Sequence, residues 1–404
     1  MKVILSVLSI LTLVVVSPAQ SISPADATPA LAVQGKLDGP RTEIFASPQD
    51  SCDSNDVPDA MVRAFRDYTG TVHLSSASSQ LFQSFGPTLD TVVHSCDAAF
   101  SSANDTNPAD FNDQVWLDSF YTLDGKKIAV AAHTEYHGWA IPGECHVQGN
   151  NQYGACEYDA DTFHISQDGG YHFETPEPPG NFLAGFPYKY EIDRGPMGYS
   201  VDTNMIEYKG WIYAVATDYS WPPNCSGTTG PTRCRVPYGG APLRTQDVFD
   251  PASWRTWDGT DFTVSFADPY PGPVHDPTRH VYVPVPYMEY VNAIGIYQPL
   301  NVVVATLWDY WDKTLGPPGM YLTTSTDMVH WTKPSLVVTA NELLSEDGPG
   351  SWLYVYFSLI DPDAPDLNFS ILSDHPYLYY VRLNLNNTEQ RVLYRRSIKL
   401  TAAK

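Results

Sequence analysis

"SQDGGYHF", Ser166 to Phe173, is a polar turn that opens on a hydroxyl, carries Asp two places on, passes through Gly-Gly and closes on an aromatic. Gly takes positive φ without steric cost, and Asp hydrogen-bonds its own backbone, so the stretch reads as a hairpin corner. The pattern returns. "TQDVFDPASW" begins at Thr245 and reaches Trp254, and "STDMVHW" begins at Ser325 and reaches Trp331. The three starts lie 79 and 80 residues apart, a fixed period that marks a repeat architecture.

Five strand–turn–strand segments surround these corners. They are Ala60–Leu74, Trp116–His133, Asp202–Asp218, Ala293–Trp308 (turning at Pro-Leu-Asn) and Leu367–Leu383 (turning at Asp-His-Pro). Three of them precede one of the Ser/Thr-x-Asp corners, as an inner strand pair precedes an outer one. The expected fold is all-β: a five-bladed β-propeller of four-stranded antiparallel blades. Composition agrees, since 34 Pro, 27 Gly and 13% aromatic residues punctuate short apolar runs with no long helical periodicity.

The first 21 residues, "MKVILSVLSILTLVVVSPAQS", combine one Lys, an apolar run and a small-residue site ending at Ala19. Residues 1–19 are therefore expected to be a signal peptide, 20–51 a poorly ordered or strand-swapped lead-in, and 52–404 a single domain. Six cysteines allow 15 pairings. Cys145/Cys156 and Cys225/Cys234 each bracket a Gly- or Pro-rich loop, which leaves Cys52 with Cys96. Disulfides, and sequons at Asn104, Asn224, Asn368 and Asn386, suit a secreted, extracellular glycoprotein. No paired CxxC calls for a metal, and no cofactor is expected. A net charge of −23 disfavours nucleic acid and anionic lipid as partners. No later segment has membrane-spanning length, and a monomer is expected.

At a propeller's axis the first strand of each blade brings polar residues to one mouth. In "NDVPDAMVRAFRD", Pro58 marks the strand entry, and alternation sets Asp59, Met61, Arg63 and Phe65 on one face. Asp59 there can cap a turn or act as a general base. In "AAHTEYHGW", His133 and Glu135 share a face and Tyr136, His137 and Trp139 follow at once. A sugar site needs such a set: carboxylates for proton transfer, aromatics for stacking, and imidazole or guanidinium for hydroxyls.

The "PDAMVRAF…GTVHL" strand pair, the Asp-led "DTNMIEYKGWIYAV" and the closing "STDMVHW" resemble the five-bladed glycosidases of glycoside hydrolase family 43 and their invertase-like relatives. From about Asp56 to Arg382 the chain also resembles a group of uncharacterised secreted proteins with Asp-x-Pro-Asp and His-x-Glu-Tyr elements. The glycosidase resemblance implies a base Asp on the first blade, matched by Asp59, and a second Asp that tunes the acid, matched by Asp202. The family's acid, a Glu heading a later blade, has no counterpart in "TRHVYVPVPYMEY". Glu135 is the substitute acid, raised by burial or a neighbouring carboxylate, with Arg63 beside Asp59. The substrate-binding set is then Arg63, His133, Tyr136, Asn204, Arg244 and His280. The expected activity is hydrolysis of an oligosaccharide or polysaccharide. Two other readings stay open: a lyase acting on uronates with a His133 or Tyr136 base, and a glycan-binding propeller without turnover.

Overall fold

Alternation of apolar and polar side chains builds the strands, and the corners between them are tied by side chains. The computed structural model describes residues 32–149, 155–186, 189–201, 203–220, 236–270, 282–310, 313–348 and 350–403. These residues are nearly all β. A helix at Ala340–Ser345 is short and owes its start to a capping box between Thr339 and Glu342.

Five sheets form. One runs Val33–Ser47, Asn387–Ala402, Tyr377–Asn384, Trp352–Ile360. Another runs Arg63–Arg66, Val72–Ser75, Ser84–Gly86, Val93–His94, and the short strands Gln80–Leu81 and Phe100–Ser101 pair with each other, the former touching Gln114–Thr122. A five-stranded sheet orders Ser335–Thr339, Gly319–Ser325, Val302–Asp309, Val291–Tyr297 and Ile371–Leu372. The largest has ten strands, in two antiparallel runs. Gln114–Thr122, Ile128–His137 and Glu157–Ser166 make one run, and Met197–Val201, Trp211–Ser220 and Val236–Thr245 lead the other. The runs meet through a parallel contact between Glu157–Ser166 and Met197–Val201.

Each Ser/Thr-x-Asp corner begins on the last residue of a strand: Ser166, Thr245 and Ser325. The local chemistry recurs. Ser166 Oγ accepts from Asp168 N at 3.3 Å, Thr245 Oγ1 from Asp247 N at 2.9 Å, and Ser325 Oγ from Asp327 N at 3.1 Å. In each, the Asp carboxylate then accepts backbone N–H groups further round the turn.

One expectation needs correction. Residues 367–383 do not form one hairpin: Ile371–Leu372 joins Val291–Tyr297 in parallel, and Tyr377–Asn384 pairs instead with Trp352–Ile360. The Asp366 carboxylate accepts from Asn368, Ser370 and Ile371 N and holds the stretch before Ile371 as a loop. Part of the 20–51 segment, expected to be poorly ordered or strand-swapped, forms a strand. Val33–Ser47 lies antiparallel along Asn387–Ala402, a strand more than 300 residues further on. Asp347 secures that seam by accepting from Arg41, Arg382 and Tyr354.

Arg63 shows how the inner strands converge. It is buried; its Nε donates to Asp118 O at 2.7 Å, and its guanidinium reaches Ser358 Oγ and Asn292 O, both at 3.1 Å. One side chain thus ties strands of four sheets to a common centre. Disulfides link Cys52 to Cys96 and Cys145 to Cys156. Cys225 and Cys234 lie outside the described residues, as do residues 1–31. Among the described residues no helix is long and apolar enough to cross a membrane.

Candidate active site

The strand Ile128–His137 ends in strict alternation, with Thr134 and Tyr136 buried and His133, Glu135 and His137 partly open. Period two therefore aims two imidazoles and one carboxylate at the same side. Across the ladder, Trp116 pairs with His133 on one flank, while Glu157 pairs with His137 and Asp159 with Glu135 on the other. Asp118 is the extra residue of a bulge between Leu117 and Ser119, which re-aims it. These residues line a cavity of about 450 Å³ together with Asp59, Trp139, Ser200 and Tyr356.

Hydrogen bonds lock the centre. His133 Nε2 donates to Glu135 Oε1 at 2.9 Å, and His137 Nε2 donates to Oε2 at 2.6 Å. Burial would raise Glu135, but the bonds and charges of His133 and His137 override it and push the carboxyl down to about 2. Burial would likewise lower His133, yet the bond to Glu135 and the charges of Glu135, Asp159 and Asp118 hold it well above the ordinary histidine value. His133 is thus an imidazolium whose buried Nδ1 has no hydrogen-bond partner.

Asp159 goes the other way. It is 1% exposed and its Oδ1 has no hydrogen-bond partner. Burial, then the negative charge of Glu157, drives its carboxyl well above the usual range; Glu135 and Asp161 add to this against the attraction of His133. Gly198 makes the placement possible: at φ +149° it lies against Asp159, and a Cβ there would come within 2.0 Å of the Asp159 carbonyl oxygen.

Asp59 stands at another wall of the cavity. Arg391 pairs with its Oδ1, and Tyr356 Oη donates to the same oxygen at 3.0 Å. Tyr356 sits at φ +62° in an irregularity between Val355 and Ser358, a strained backbone that turns its ring to the site. Burial works against the Arg391 charge, but Asp59 and Tyr356 outweigh it and raise the guanidinium further.

The structure therefore brings Asp59, His133 and Glu135 to one cavity, and Arg63, Tyr136, Asn204 and Arg244 do not line it. Arg63 is not the partner of Asp59; Arg391 is. Tyr136 is 4% exposed on the opposite strand face, packs on Tyr190 at 4.7 Å and donates to Thr106 O. Asn204 mimics a strand, exchanging hydrogen bonds with the backbone of Ile294 at 2.8 and 3.0 Å. Arg244 pairs with Asp261 and lies over Trp211 and Phe262. Asp202 and His280 lie outside the described residues. The expected raised acid at Glu135 is also corrected, because two imidazoles rather than a carboxylate contact it. Asp118, Glu157 and Asp159 were missed, although "EYDADTF" spaces three acids two apart on one strand face.

No protein-family model matches the sequence, and no curated protein matches it. Among solved structures, an α-L-arabinanase of Cellvibrio cellulosa is similar at 12% identity over 82% of this chain and 89% of that one, with a TM-score of 0.42. A protein of unknown function from Dyadobacter fermentans is similar at 10% identity over 91% and 99%, with a TM-score of 0.45. The Bombyx mori GH32 β-fructofuranosidase BmSUC1 is similar at 10% identity over 83% and 60%, with a TM-score of 0.43. At these scores the likenesses assign no activity.

Proposed function

We propose that this chain is a secreted, monomeric glycoside hydrolase built as a five-bladed propeller of four-stranded antiparallel blades, with Asp159 as general acid and Asp59 as general base. One observation carries the reading: two carboxyls of one cavity meet opposite surroundings, Asp159 buried beside other carboxyls and Asp59 held by the Arg391 guanidinium and the Tyr356 hydroxyl. Environments that split like groups in this way are how acid and base roles are divided. Asp159 holds the proton that a leaving glycosidic oxygen needs. Asp59 takes the proton of the attacking water. Glu135 stays a carboxylate and holds two imidazoles, His133 and His137. Trp116 and Trp139 provide the apolar faces on which sugars stack.

The hairpins that lead successive groups of strands, and the corners of Ser166, Thr245 and Ser325, support the propeller reading. The two disulfides support an oxidising, extracellular setting. A lyase with a His133 base is disfavoured, because an imidazolium tied to Glu135 has no lone pair to accept a proton.

The test is release of reducing ends from a panel of plant and fungal glycans by wild type, Asp59→Asn and Asp159→Asn. Each variant should lose roughly 10²–10⁴-fold in turnover with an unchanged unfolding temperature. Wild-type rates in both variants on a cleaved substrate would remove the mechanism. Binding of glycans without cleavage by the wild type would leave a binding propeller.

A further inference from the structure

Three of the four Asn-x-Ser/Thr triplets fall on described residues, and their side chains stand differently. Asn368 is partly buried and its amide is used at both atoms: Nδ2 donates to Thr122 O at 2.9 Å, and Oδ1 accepts from Thr122 N at 2.8 Å. The hydroxyl of its triplet, on Ser370, is buried and donates to Asp366 Oδ2 at 2.9 Å. Asn104 is exposed, yet its Nδ2 donates to Ser102 O at 3.1 Å and its Oδ1 accepts from Gln114 Nε2 at 2.7 Å.

Asn386 differs from both. Asn384 pairs with Asn387 across the antiparallel strands Tyr377–Asn384 and Asn387–Ala402, so Leu385 and Asn386 form a tight turn at the tip of a hairpin. Asn386, Asn387 and Thr388 are all exposed. The turn is held from beneath. Leu385 N donates to Ser351 O at 2.8 Å, Asn386 N to Asn384 Oδ1 at 3.0 Å, and Asn384 Nδ2 to Gln390 Oε1 at 2.7 Å. Thr388 takes part through its main-chain carbonyl, which accepts from Arg391 Nε at 2.7 Å. Among the described residues, nothing hydrogen-bonds to the side-chain amide of Asn386 or to the hydroxyl of Thr388.

We infer that Asn386 is an N-glycosylation site and that Asn368 is left bare. The inference rests on the secreted reading above. The triplet requires a residue other than Pro between Asn and the hydroxyl, and Asn387 meets that requirement. The donor is an oligosaccharide carried on a polyprenyl diphosphate. Asn386 Nδ2 attacks the anomeric carbon, and a C–N bond forms as the C–O bond to the diphosphate breaks. The lipid diphosphate leaves with the bonding electrons, and one Nδ2 proton passes to a base of the transferring enzyme. Nothing is oxidised or reduced. The product is bulky and hydrophilic, so it belongs where the surface leaves room for it. On Asn386 it projects from the hairpin tip and no bond of the fold is lost. On Asn368 it sits on an amide clamped to the strand Gln114–Thr122, next to Phe369, which is 3% exposed. A glycan placed there before folding keeps that contact from closing, so the folded, exported protein lacks it.

The full chain, exported from a eukaryotic host through its own N-terminal segment, is recovered from the medium. It is treated with peptide N-glycosidase in heavy-oxygen water and digested, with an enzyme-free digest as control. Each glycan-bearing Asn becomes a labelled Asp, and mass spectrometry reads the positions separately. Asn386 should carry the label and Asn368 should not. Thr388→Ala should abolish the label at Asn386, and Thr388→Ser should keep it. Asn386→Gln should leave the unfolding temperature of the deglycosylated protein unchanged, whereas Asn368→Gln should lower it by breaking the two bonds to Thr122. An unlabelled Asn386 in exported wild type overturns the inference, and a labelled Asn368 overturns the distinction between the two. If the chain is not exported on its own segment, the digest is repeated on chain exported behind a leader of the host. A label at Asn386 then keeps the site and removes the secreted reading; no label removes the site.

Discussion

The bridge between His133, Glu135 and His137 should be visible as a pH-dependent part of folding stability. The perturbation is the double substitution His133→Gln/Glu135→Gln, which removes both charges at once and leaves His137, partly open to solvent, as the remaining member of the bridge. In the folded protein Glu135 is pushed from 4.5 down to about 2. A depressed carboxyl contributes stability that is present above the unfolded value and is lost as pH falls through the folded one. At 1.36 kcal/mol per pKa unit, the contribution is about 3 kcal/mol at pH 6 and about 1 kcal/mol at pH 3. His133 is raised, so its stabilisation is present below its unfolded value of 6.5. Between pH 3 and 6 it is protonated in the folded state and largely so in the unfolded one, and it adds almost no slope. The stability gap between wild type and double variant should therefore narrow by about 2 kcal/mol from pH 6 to pH 3. Urea unfolding followed by tryptophan fluorescence at several pH values reads the gap directly. A gap that stays constant or widens on acidification would show that Glu135 is not held as this geometry requires.

Gly198→Ala should damage activity more than its size suggests, since the new Cβ meets the Asp159 backbone at 2.0 Å in a conformation at φ +149°. The strand must shift, so kcat should fall together with a stability loss of about 1–3 kcal/mol, and wild-type kinetics would contradict it. Tyr136→Phe should leave kcat and KM unchanged and cost about 1 kcal/mol in unfolding, because its hydroxyl serves only Thr106 O; an altered KM would return Tyr136 to the site. Replacing Cys52 and Cys96 by Ser opens a closure of 44 residues and should cost about 4 kcal/mol, against about 3 for the 11-residue closure of Cys145 and Cys156, both measured by urea unfolding.

Sequence alone determined what depends on neighbours along the chain. Period-two alternation put His133 and Glu135 on one face, and Ser/Thr-x-Asp spacing located three equivalent corners. Short-range cysteine spacing paired Cys145 with Cys156 and left Cys52 for Cys96. The same alternation already assigned Tyr136 to the opposite face, and it spaced Glu157, Asp159 and Asp161 together. Tertiary structure decided everything that needed two distant segments. Nothing near Asp59 in the chain announces Arg391, which comes from the far end of the sequence, or Tyr356, whose orientation depends on a strained backbone at φ +62°. The opposite shifts of the Glu135 and Asp159 carboxyls are of the same kind. Both are carboxyls on neighbouring strands, and chemistry gives them nearly the same intrinsic acidity. One meets two imidazoles and the other meets carboxylates and no solvent, and protonation follows the summed field and burial of the folded site, which no local pattern contains.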